Sequence, residues 1–543
     1  MRPFETHLPP ERVARHERAG EWPCADLTTA LARRVRETPD RVLFVAGEER
    51  VTGPMLADRV ARLARGLRGL GVGPGDVVSW QLPNWLEGVV LTFALDRIGA
   101  VSNPILTIYR EREVAFVVRQ AGSKVLVVPG VLRGFDHAQL ARSVRSGAPT
   151  LAHVVVARAT PGPGETALEA LCASQPDDAP STPPGPHDVT ALFYTSGTTS
   201  DPKGVMHTPS TLGSFVRTQF AMAGRDPDHV GILWFPLAHI GGICAFGIAP
   251  VMYGSRAVFL EHFEPEAALD LIEREKVTSA GGPTPIVQAI LAAKGFSPAR
   301  VRSVRNAGLG ATDVPPELIR ELRSKLGGFV SRSYGMTECP MATGGTRQDP
   351  EEKLVTTDGR PTAGVVLRTV DDAGRTVAPD VEGEIELYGP QLCVGYVDAR
   401  LSDAAFTPDG FLRSGDLAVV DASGFVRITG RKKDIIIRKG ENLSAKAIED
   451  ELHDHPKVAD VAVIGVPDAA SGERVCACVV LRPGTDGMTL AELRAFMSER
   501  RVMAQKIPEQ IELVDELPRN ATGKVKKFEL RARFARVAKG RSA

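Results

Sequence analysis

The stretch YTSGTTSDPKG, residues 194–204, decides how this sequence is interpreted. Its centre packs three threonines, one serine and one glycine into five consecutive positions, and a lysine and a glycine end it. Small hydroxyl residues beside a glycine suit neither a helix nor a core, but their exposed N–H groups can form a concave anion nest. Lys203 adds a point charge. The stretch therefore predicts a polyphosphate site directly after the strand-like run DVTALFYT, with a solvated Ser/Thr turn as the alternative.

Two commoner nucleotide-binding motifs do not fit this sequence. The P-loop pattern GxxxxGK[ST] fails because Lys203 precedes its glycine and because a valine follows Gly523-Lys524. The dinucleotide pattern GxGxxG fails because the run GLGATD, which starts at Gly308, ends on Asp313. A P-loop phosphotransferase and a dinucleotide-binding enzyme are therefore disfavoured.

Composition excludes several classes of partner. The 66 Lys and Arg residues balance the 66 Asp and Glu residues, so no global field favours nucleic acid or an anionic membrane. Seven scattered cysteines without CxxC spacing indicate reduced thiols rather than disulfides or a zinc site. The N-terminus lacks the apolar run of a signal peptide, and the most apolar stretch, IGGICAFGIAPVMYG, is shorter than the roughly 20 residues of a membrane span. We therefore predict a cytoplasmic protein with no integral membrane segment and no nucleic-acid partner.

The order of apolar runs predicts the fold class. DLTTALARRVRETPD, with Asp26 as its cap, and MLADRVARLARGLRGLGV, closed near Gly71, have helical periodicity, whereas DVVSWQLP is typical of a buried strand. Helix-like and strand-like runs alternate, which predicts βαβ units and mainly parallel sheets. Residues 157–187 are rich in Pro, Ala and Asp and predict a surface connection.

At 543 residues the chain is too long for one core, and a change of pattern marks a second domain. After GFVRITGRKKDIIIRKGENLSA the chain continues as helix, two strands, helix and strand within about 110 residues, a normal domain size. We predict an α/β fold in which residues 1–430 form a large N-terminal domain of stacked mixed or parallel sheets with helices. Residues 431–543 then form a small C-terminal α+β domain.

The stretch YTSGTTSDPKG resembles the signature loop of the adenylate-forming acyl-CoA synthetases and ligases. Ser200 is a departure, because the family usually has glycine there. The resemblance extends along the chain, because five further stretches match in the family's order. They are WFPLAHIGG (234–242), SYGMTE (333–338), SGD (414–416), GRKKDIIIRKGENLSA (430–445) and LPRNATGK (517–524).

The resemblance implies a ligase that works in two steps. A carboxylate attacks the α-phosphate of ATP and expels pyrophosphate, and the thiol of coenzyme A then displaces AMP. A free carboxylate is a poor acyl donor, so adenylation supplies the leaving group and the enzyme mainly positions reactants and handles charge. The resemblance therefore implies ATP, Mg²⁺ and coenzyme A as cofactors or co-substrates and a small carboxylic acid as the partner; a homodimer is left open.

The resemblance also implies which residues bind the nucleotide. Thr337 would bond the α-phosphate, and Glu338 would hold Mg²⁺ because hard oxygen ligands suit this ion. The residues implied for the β- and γ-phosphates are Thr195, Ser196, Gly197, Thr198, Thr199 and Lys203. The residues implied around adenine are Tyr334, Gly335, Met336, Gly310, Ala311 and Thr312.

Further implied roles lie near the predicted domain boundary. Asp416 and Arg431 would bind the ribose, and Lys524 would be the catalytic lysine that neutralises charge at the α-phosphate as the adenylate forms. In the family the small domain is mobile and rotates between the two steps. Lys433 would lie at the hinge, and Gly440 would line the pantetheine tunnel.

The acid is the least constrained part of the prediction. His239 matches an aromatic or histidine gate beside the acyl pocket, with a core histidine as the alternative. IGGICAFG and GGPTP add small, apolar lining, which suits a hydrocarbon-bearing acid. Ile240 stands where relatives that activate 2,3-dihydroxybenzoate have asparagine and those that activate amino acids have aspartate. The resemblance therefore favours a short- or medium-chain fatty acid or an alicyclic acid.

Other functions stay open at this point. One is a stand-alone enzyme that adenylates an aryl or acyl acid and loads a carrier protein. Another is a nucleotide-binding regulator without catalysis, which we would expect to have lost Lys524, Glu338 or Asp416, and all three are present.

Overall fold

The computed structural model describes residues 4–22, 26–195, 202–224, 228–310, 312, 314–438, 441–468, 471–500, 502–520 and 523–534. Within these residues, four main sheets and the helices packed on them follow one another along the chain. In the same residues, no helix is both long enough and apolar enough to cross a membrane.

The first sheet has seven strands in the described part of the chain, and neighbours are parallel except for the first pair. Val78 and Trp80 face one hydrophobic core, whereas the alternating Val77 faces another. In sheet order the strands are Lys203–His207, Ala191–Thr195, Val101–Pro104, Val77–Trp80, Val125–Pro129, His153–Ala157 and Thr166–Ala167. The helices that pack against it are Gly53–Gly69, Leu86–Arg97, Glu111–Ala121, His137–Ser146 and Leu168–Cys172.

The second sheet provides one wall of the later site. Isolated parallel bridges from Gly231 to Ser279 and from Ser279 to Asn306 connect its two halves. The strands are Glu49–Thr52, Val42–Ala46, Arg256–Phe259, Val230–Leu233, Asn306–Leu309, Phe329–Tyr334, Thr343–Gly344 and Arg360–Pro361. Its helices are Leu27–Glu37, Pro209–Met222, Ile240–Gly242, Ala249–Tyr253, Pro265–Glu275, Thr284–Leu291, Pro316–Leu326 and Glu351–Thr356, with a π-helix at Ile243–Ile248.

The third sheet is antiparallel and leads into the C-terminal unit. Its strands are Val366–Val370, Glu382–Tyr388, Leu412–Val420 and Val426–Arg431. The helices Pro10–Arg18 and Ala399–Ala405 lie beside it. A 3₁₀ turn, Lys432–Asp434, then connects Arg431 to the last sheet.

The last sheet belongs to the small C-terminal domain. Its strands are Glu441–Ser444, Ile435–Arg438, Gly472–Leu481, Val458–Asp468 and Gln510–Leu513. Its helices are Ala445–His453, Leu490–Glu499 and Lys527–Phe534. The predicted fold class, a large α/β domain of mixed sheets followed by a small α+β domain, is confirmed. The boundary between residues 430 and 431 stays a prediction.

Two local expectations from the sequence are corrected. The third sheet is antiparallel rather than parallel, because its strands lie beside one another in chain order without a crossover connection. The predicted surface connection at residues 157–187 contains the short strand Thr166–Ala167 and the helix Leu168–Cys172, whose Leu168 and Leu171 are buried. This helix packs on Gly66, where a Cβ would lie 2.7 Å from the carbonyl oxygen of Leu171.

This close contact predicts different effects for two glycines of the same helix. Gly66→Ala should destabilise the protein by about 1–3 kcal/mol, because the helix Leu168–Cys172 would have to move. Gly69→Ala should be neutral or stabilising by up to about 1 kcal/mol, because no atom lies within 4 Å of the added methyl group. Midpoints of urea unfolding measure both, and equal midpoints for the two variants would contradict the packing.

Candidate active site

A cleft of about 1640 Å³ draws its lining from the first three sheets and their connections, from the 3₁₀ turn Lys432–Asp434 and from residues 520–529 of the C-terminal domain. The predicted site residues that line it are Thr195, Lys203, His239, Gly310, Tyr334, Gly335, Met336, Thr337, Glu338, Arg431, Lys433 and Lys524. Asp416 and Thr312 do not line the cleft but contact residues at its edge. Ser196, Gly197, Thr198, Thr199, Ala311 and Gly440 lie outside the described residues. The structure therefore brings together residues that the sequence separates by more than 300 positions.

The two ends of the signature stretch meet as a pair of antiparallel strands. Thr195 ends one strand and lies opposite Lys203, which begins the next. Lys203 Nζ lies 5.7 Å from the centre of the Tyr396 ring, within cation–π range. This pairing fixes both ends of the loop at the cleft and places one positive charge there.

The turn 333–338 folds back on itself at Gly335. A side chain at Gly335 would overlap the backbone nitrogen of Met341, so only glycine fits this approach. Met336 and Cys339 exchange backbone hydrogen bonds of 3.2 and 3.1 Å, which close the turn. The turn therefore presents Tyr334, Thr337 and neighbouring residues to one cleft.

Three hydrogen-bonding groups fix Glu338 and Thr337. Tyr396 donates its hydroxyl to Glu338 Oε1 at 2.7 Å, and the N–H of Cys393 donates to the Glu338 carbonyl at 2.7 Å. His207 Nε2 lies 2.9 Å from the carbonyl of Thr337. Burial lowers the pKa of His207 to about 4, so the ring is neutral at pH 7 and donates from Nε2.

Asp416 lies at 2% exposure between two partners. Tyr334 donates its hydroxyl to Asp416 Oδ2 at 2.7 Å, and Arg431 Nε lies 2.6 Å from Oδ1. Burial and then the Asp416 carboxylate raise the pKa of Tyr334, which keeps the phenol protonated as a donor. Asp416 and Arg431 are also register partners on adjacent strands. The predicted ribose-binding pair is therefore an ion pair in this structure.

Lys524 reaches the cleft from a turn of the C-terminal domain. Its N–H donates to Asn520 Oδ1 at 2.9 Å, and Gly523 before it has a φ of +82°. A Cβ at Gly523 would lie 3.4 Å from Pro285 and 3.6 Å from Thr312, so the turn lies against the large domain.

Three cations converge around this turn. Burial, followed by the charge of Arg431, lowers the pKa of Lys524 to about 7, against the opposing effect of Asp416. Burial and Arg431 also lower the pKa of Lys433. Asp416 and Asp434 compensate only part of this positive charge, so the arrangement is suited to a polyanion.

His239 lines the cleft away from these cations. The N–H of Gly241 donates to His239 Nδ1 at 3.1 Å, so the neutral ring carries its hydrogen on Nε2. Burial lowers the pKa of His239 to about 4. The predicted gate residue is therefore a neutral histidine at pH 7, and it caps the short helix Ile240–Gly242 that leads into the π-helix Ile243–Ile248.

Sequence reasoning missed Arg12, which holds a loop beside Glu338. Its guanidinium is 2% exposed and donates to the carbonyls of Cys393 at 2.9 Å, of Leu392 and of Gly389 at 3.4 Å. The N–H of Cys393 donates to the backbone carbonyl of Glu338. Arg12 therefore reaches the backbone of Glu338 through one intervening residue, Cys393. The partners are carbonyl groups 377 to 381 positions away, so no local motif marks this arginine.

Comparison with known proteins identifies the family. Residues 31–397 match the family model described as AMP-binding enzyme, and residues 447–524 match the one described as AMP-binding enzyme C-terminal domain. This chain belongs to the AMP-binding enzyme family. The predicted resemblance is confirmed for both parts of this AMP-binding enzyme.

Curated relatives and solved structures agree with this assignment. The chain is 34% identical over 524 residues to the medium-chain fatty-acid–CoA ligase of Escherichia coli (strain K12), covering 96% of this chain and 92% of that protein. It is 36% identical over 546 residues to the 2-hydroxy-7-methoxy-5-methyl-1-naphthoate–CoA ligase of Streptomyces carzinostaticus, covering 98% and 97%. The anthranilate CoA ligase AuaEII in complex with anthranoyl-AMP matches with a TM-score of 0.87 at 26% identity, covering 96% and 99%. The AMP-binding enzyme is therefore an AMP-forming acid–thiol ligase that uses ATP and coenzyme A.

The lowered pKa of Lys524 predicts that the rate of adenylation falls as the pH rises. The lysine loses its proton as the pH rises through about 7, so kcat/KM for ATP in pyrophosphate exchange should fall above pH 7. Lys524→Ala should lower adenylation by roughly 10²-fold or more, by analogy with the loss of an oxyanion donor. Lys524→Arg stays charged, so its rate should not fall near pH 7. A near wild-type rate for the alanine variant, or an unchanged fall above pH 7 for the arginine variant, would exclude this role.

The contacts of Arg12 predict an effect that acts through Glu338. Arg12→Lys keeps the charge but not the fork of donors, and we expect the Mg²⁺ concentration for half-maximal adenylation to rise by about tenfold or more, as for other groups that orient metal ligands. Arg15→Lys in the same helix is the matched control, since Arg15 packs on the Tyr388 ring instead. A lower melting temperature of Arg12→Lys with an unchanged Mg²⁺ requirement would show that Arg12 only stabilises the fold.

Proposed function

We propose that this AMP-binding enzyme joins a carboxylic acid with a bulky hydrocarbon part to coenzyme A. The observation that carries the proposal is the division of one cleft into two chemically different regions. Arg431, Lys433 and Lys524 make one region cationic, whereas Phe235 and Phe246, with ring centres 5.6 Å apart, make the other apolar. A triphosphate fits the first region, and the acid's hydrocarbon part fits the second.

In the proposed first step, charge is neutralised at the α-phosphate. Lys524 accepts a proton when the anion enters, because opposite charge raises the pKa of a lysine. Thr337 donates to the α-phosphate, and the carboxylate of the acid attacks it from the apolar side. Thr195, with the neighbouring loop, and Lys203 hold the β- and γ-phosphates until pyrophosphate leaves.

Glu338 fits a Mg²⁺ ion that is bound together with phosphate oxygens. Magnesium takes one or two carboxylates together with substrate phosphates, and Tyr396 fixes one Glu338 oxygen at the cleft. Among the described residues, no group of three His, Cys, Asp or Glu side chains forms a protein-only cage, which agrees with this mode of binding. When bound, Mg²⁺ would neutralise charge on the phosphates.

The nucleoside has a place between the turn 333–338 and Asp416. Tyr334, Gly335 and Met336 offer one face to adenine, with Gly310 on the neighbouring strand. Asp416 accepts hydrogen bonds from ribose hydroxyls once the nucleotide displaces part of the contact from Arg431 or Tyr334.

In the second step, the thiol of coenzyme A has to reach the acyl-adenylate at a place that Lys524 occupies in the first step. We keep the prediction that residues 431–543 rotate about Lys433, so that Lys524 leaves and Gly440 lines the path of pantetheine. A hinge only has to absorb a backbone change, and the 3₁₀ turn Lys432–Asp434 is a single turn between two sheets. A cytoplasmic location also stays a prediction.

The identity of the acid needs a direct assay. Purified enzyme with ATP, Mg²⁺ and a panel of C2 to C16, alicyclic and aromatic acids should release AMP and pyrophosphate, and added coenzyme A should give a thioester of the expected mass. Transfer to a phosphopantetheinylated carrier protein but not to free coenzyme A would favour the carrier-loading alternative. Release of ADP instead of AMP would overturn the proposed chemistry.

A further inference from the structure

We propose that Gln219 selects a ring-bearing acid whose ring carries a hydroxyl or amino group, which bonds the amide of Gln219 inside the cleft. The inference rests on the proposed function, because it concerns the acid that the ligase activates. It adds a polar contact to a region that sequence analysis described as apolar.

Gln219 lies in the middle of an otherwise apolar helix face. The helix Pro209–Met222 lines the cleft with Phe215, Gln219, Phe220 and Met222, and Ala223 follows them. Phe215, Gln219, Met222 and Ala223 are spaced by four, three and one residues and share one face of the helix, while Phe220 beside them stacks on Tyr253. Gln219 therefore presents an amide to the cleft, whereas the side chains beside it on this face cannot form hydrogen bonds.

The amide oxygen of Gln219 has no hydrogen-bond partner within the part of the chain that the structure describes. Oε1 is buried and accepts no hydrogen bond from the described residues. A buried polar atom without a partner is destabilising, and such exceptions in native proteins often mark a site that a ligand completes. The amide offers both a donor and an acceptor, and a hydroxyl can do the same, whereas an amino group can donate to Oε1.

A second wall of the cleft carries a patch of small residues. Ser279, Gly308, Ser331 and Ser333 occupy alternate or adjacent positions on neighbouring strands and line the cleft, and the register pair Asn306 and Phe329 bounds this patch at one end. Short side chains on adjacent strands leave a wide, shallow surface rather than a narrow tube. Such a surface covers one face of a ring, whereas a straight alkyl chain would leave most of it uncovered.

The two walls meet close to Gln219. Met222 lies against Gly344, where a Cβ would come within 2.8 Å of Met222 Cε, and Gly344 is the register partner of Ser333. Gln219 is three residues before Met222 and therefore about one helical turn from this contact. A ring that lies on the small-residue wall would thus have its edge directed at the amide.

Matched pairs of acids test the proposal. The probes are benzoate with its 2-, 3- and 4-hydroxy and amino derivatives, and cyclohexanecarboxylate with its 4-hydroxy derivative. The readout is kcat/KM for AMP formation with ATP and coenzyme A. We expect the wild type to prefer at least one substituted acid over its parent by about tenfold, since a site built for a polar group discriminates against the analogue that lacks it.

The variant Gln219→Leu should remove this preference. The kcat/KM of the substituted acid should fall by about tenfold, while that of the parent acid stays equal or rises. Gln120→Leu is the matched control, because Gln120 also has a buried Oε1 without a partner among the described residues but does not line the cleft. Both variants remove one unpartnered amide, so both should melt at an equal or higher temperature, but only the change at 219 should alter the ratio.

Two results would overturn the proposal, and they differ in what else they affect. If the wild type forms AMP but the ratio within each pair is the same in the wild type and in Gln219→Leu, the role of Gln219 is wrong and the ligase function stands. If no acid of the panel yields AMP, the proposed function and the assignment of Gln219 are overturned together.

Discussion

The buried carboxylate of Asp416 is the contact on which the geometry of the site depends. It accepts a hydrogen bond from Tyr334 of the adenine-side turn and pairs with Arg431, the last residue before the 3₁₀ turn to the C-terminal domain. It also opposes the lowered pKa of Lys524. One carboxylate thus joins the turn 333–338, the third sheet and the surroundings of Lys524. Loss of either partner would leave the buried Asp416 carboxylate with less compensation, which is destabilising.

The cations at the cleft are arranged for a ligand rather than for the stability of the empty protein. Burial lowers the pKa of Lys524 most, and the charges of Arg431 and Lys433 lower it further, which means that the three charges repel one another. A triphosphate supplies the missing negative charge, so binding and protonation of Lys524 favour each other. Preorganised charge of this kind stabilises a transition state at low reorganisation cost. The neutral histidines His207 and His239 add hydrogen-bond donors without adding to this repulsion.

Local sequence predicted the parts of the site that depend on local chemistry. The strand that ends at Thr195 follows from a short apolar run, and the cap at Asp26 follows from the residue itself. Contacts between distant segments could not be predicted in this way. Arg12 binds backbone carbonyls, which every residue has, and Tyr396 is an ordinary aromatic until Glu338 lies beside it.

Two further features depend on tertiary packing rather than on periodicity. The helix Leu168–Cys172 is too short to stand out from a Pro-rich stretch, and it forms because Leu168 and Leu171 are buried against a neighbouring helix. Gln219 has the helical spacing of a core residue but a polar side chain, and this polar position is explained only by the cleft that it lines.

An acid labelled with ¹⁸O in its carboxylate tests most directly whether this carboxylate attacks the α-phosphorus of ATP. Attack at the α-phosphorus leaves one labelled oxygen in the AMP. Label in pyrophosphate or in free phosphate, with none in AMP, would contradict this attack.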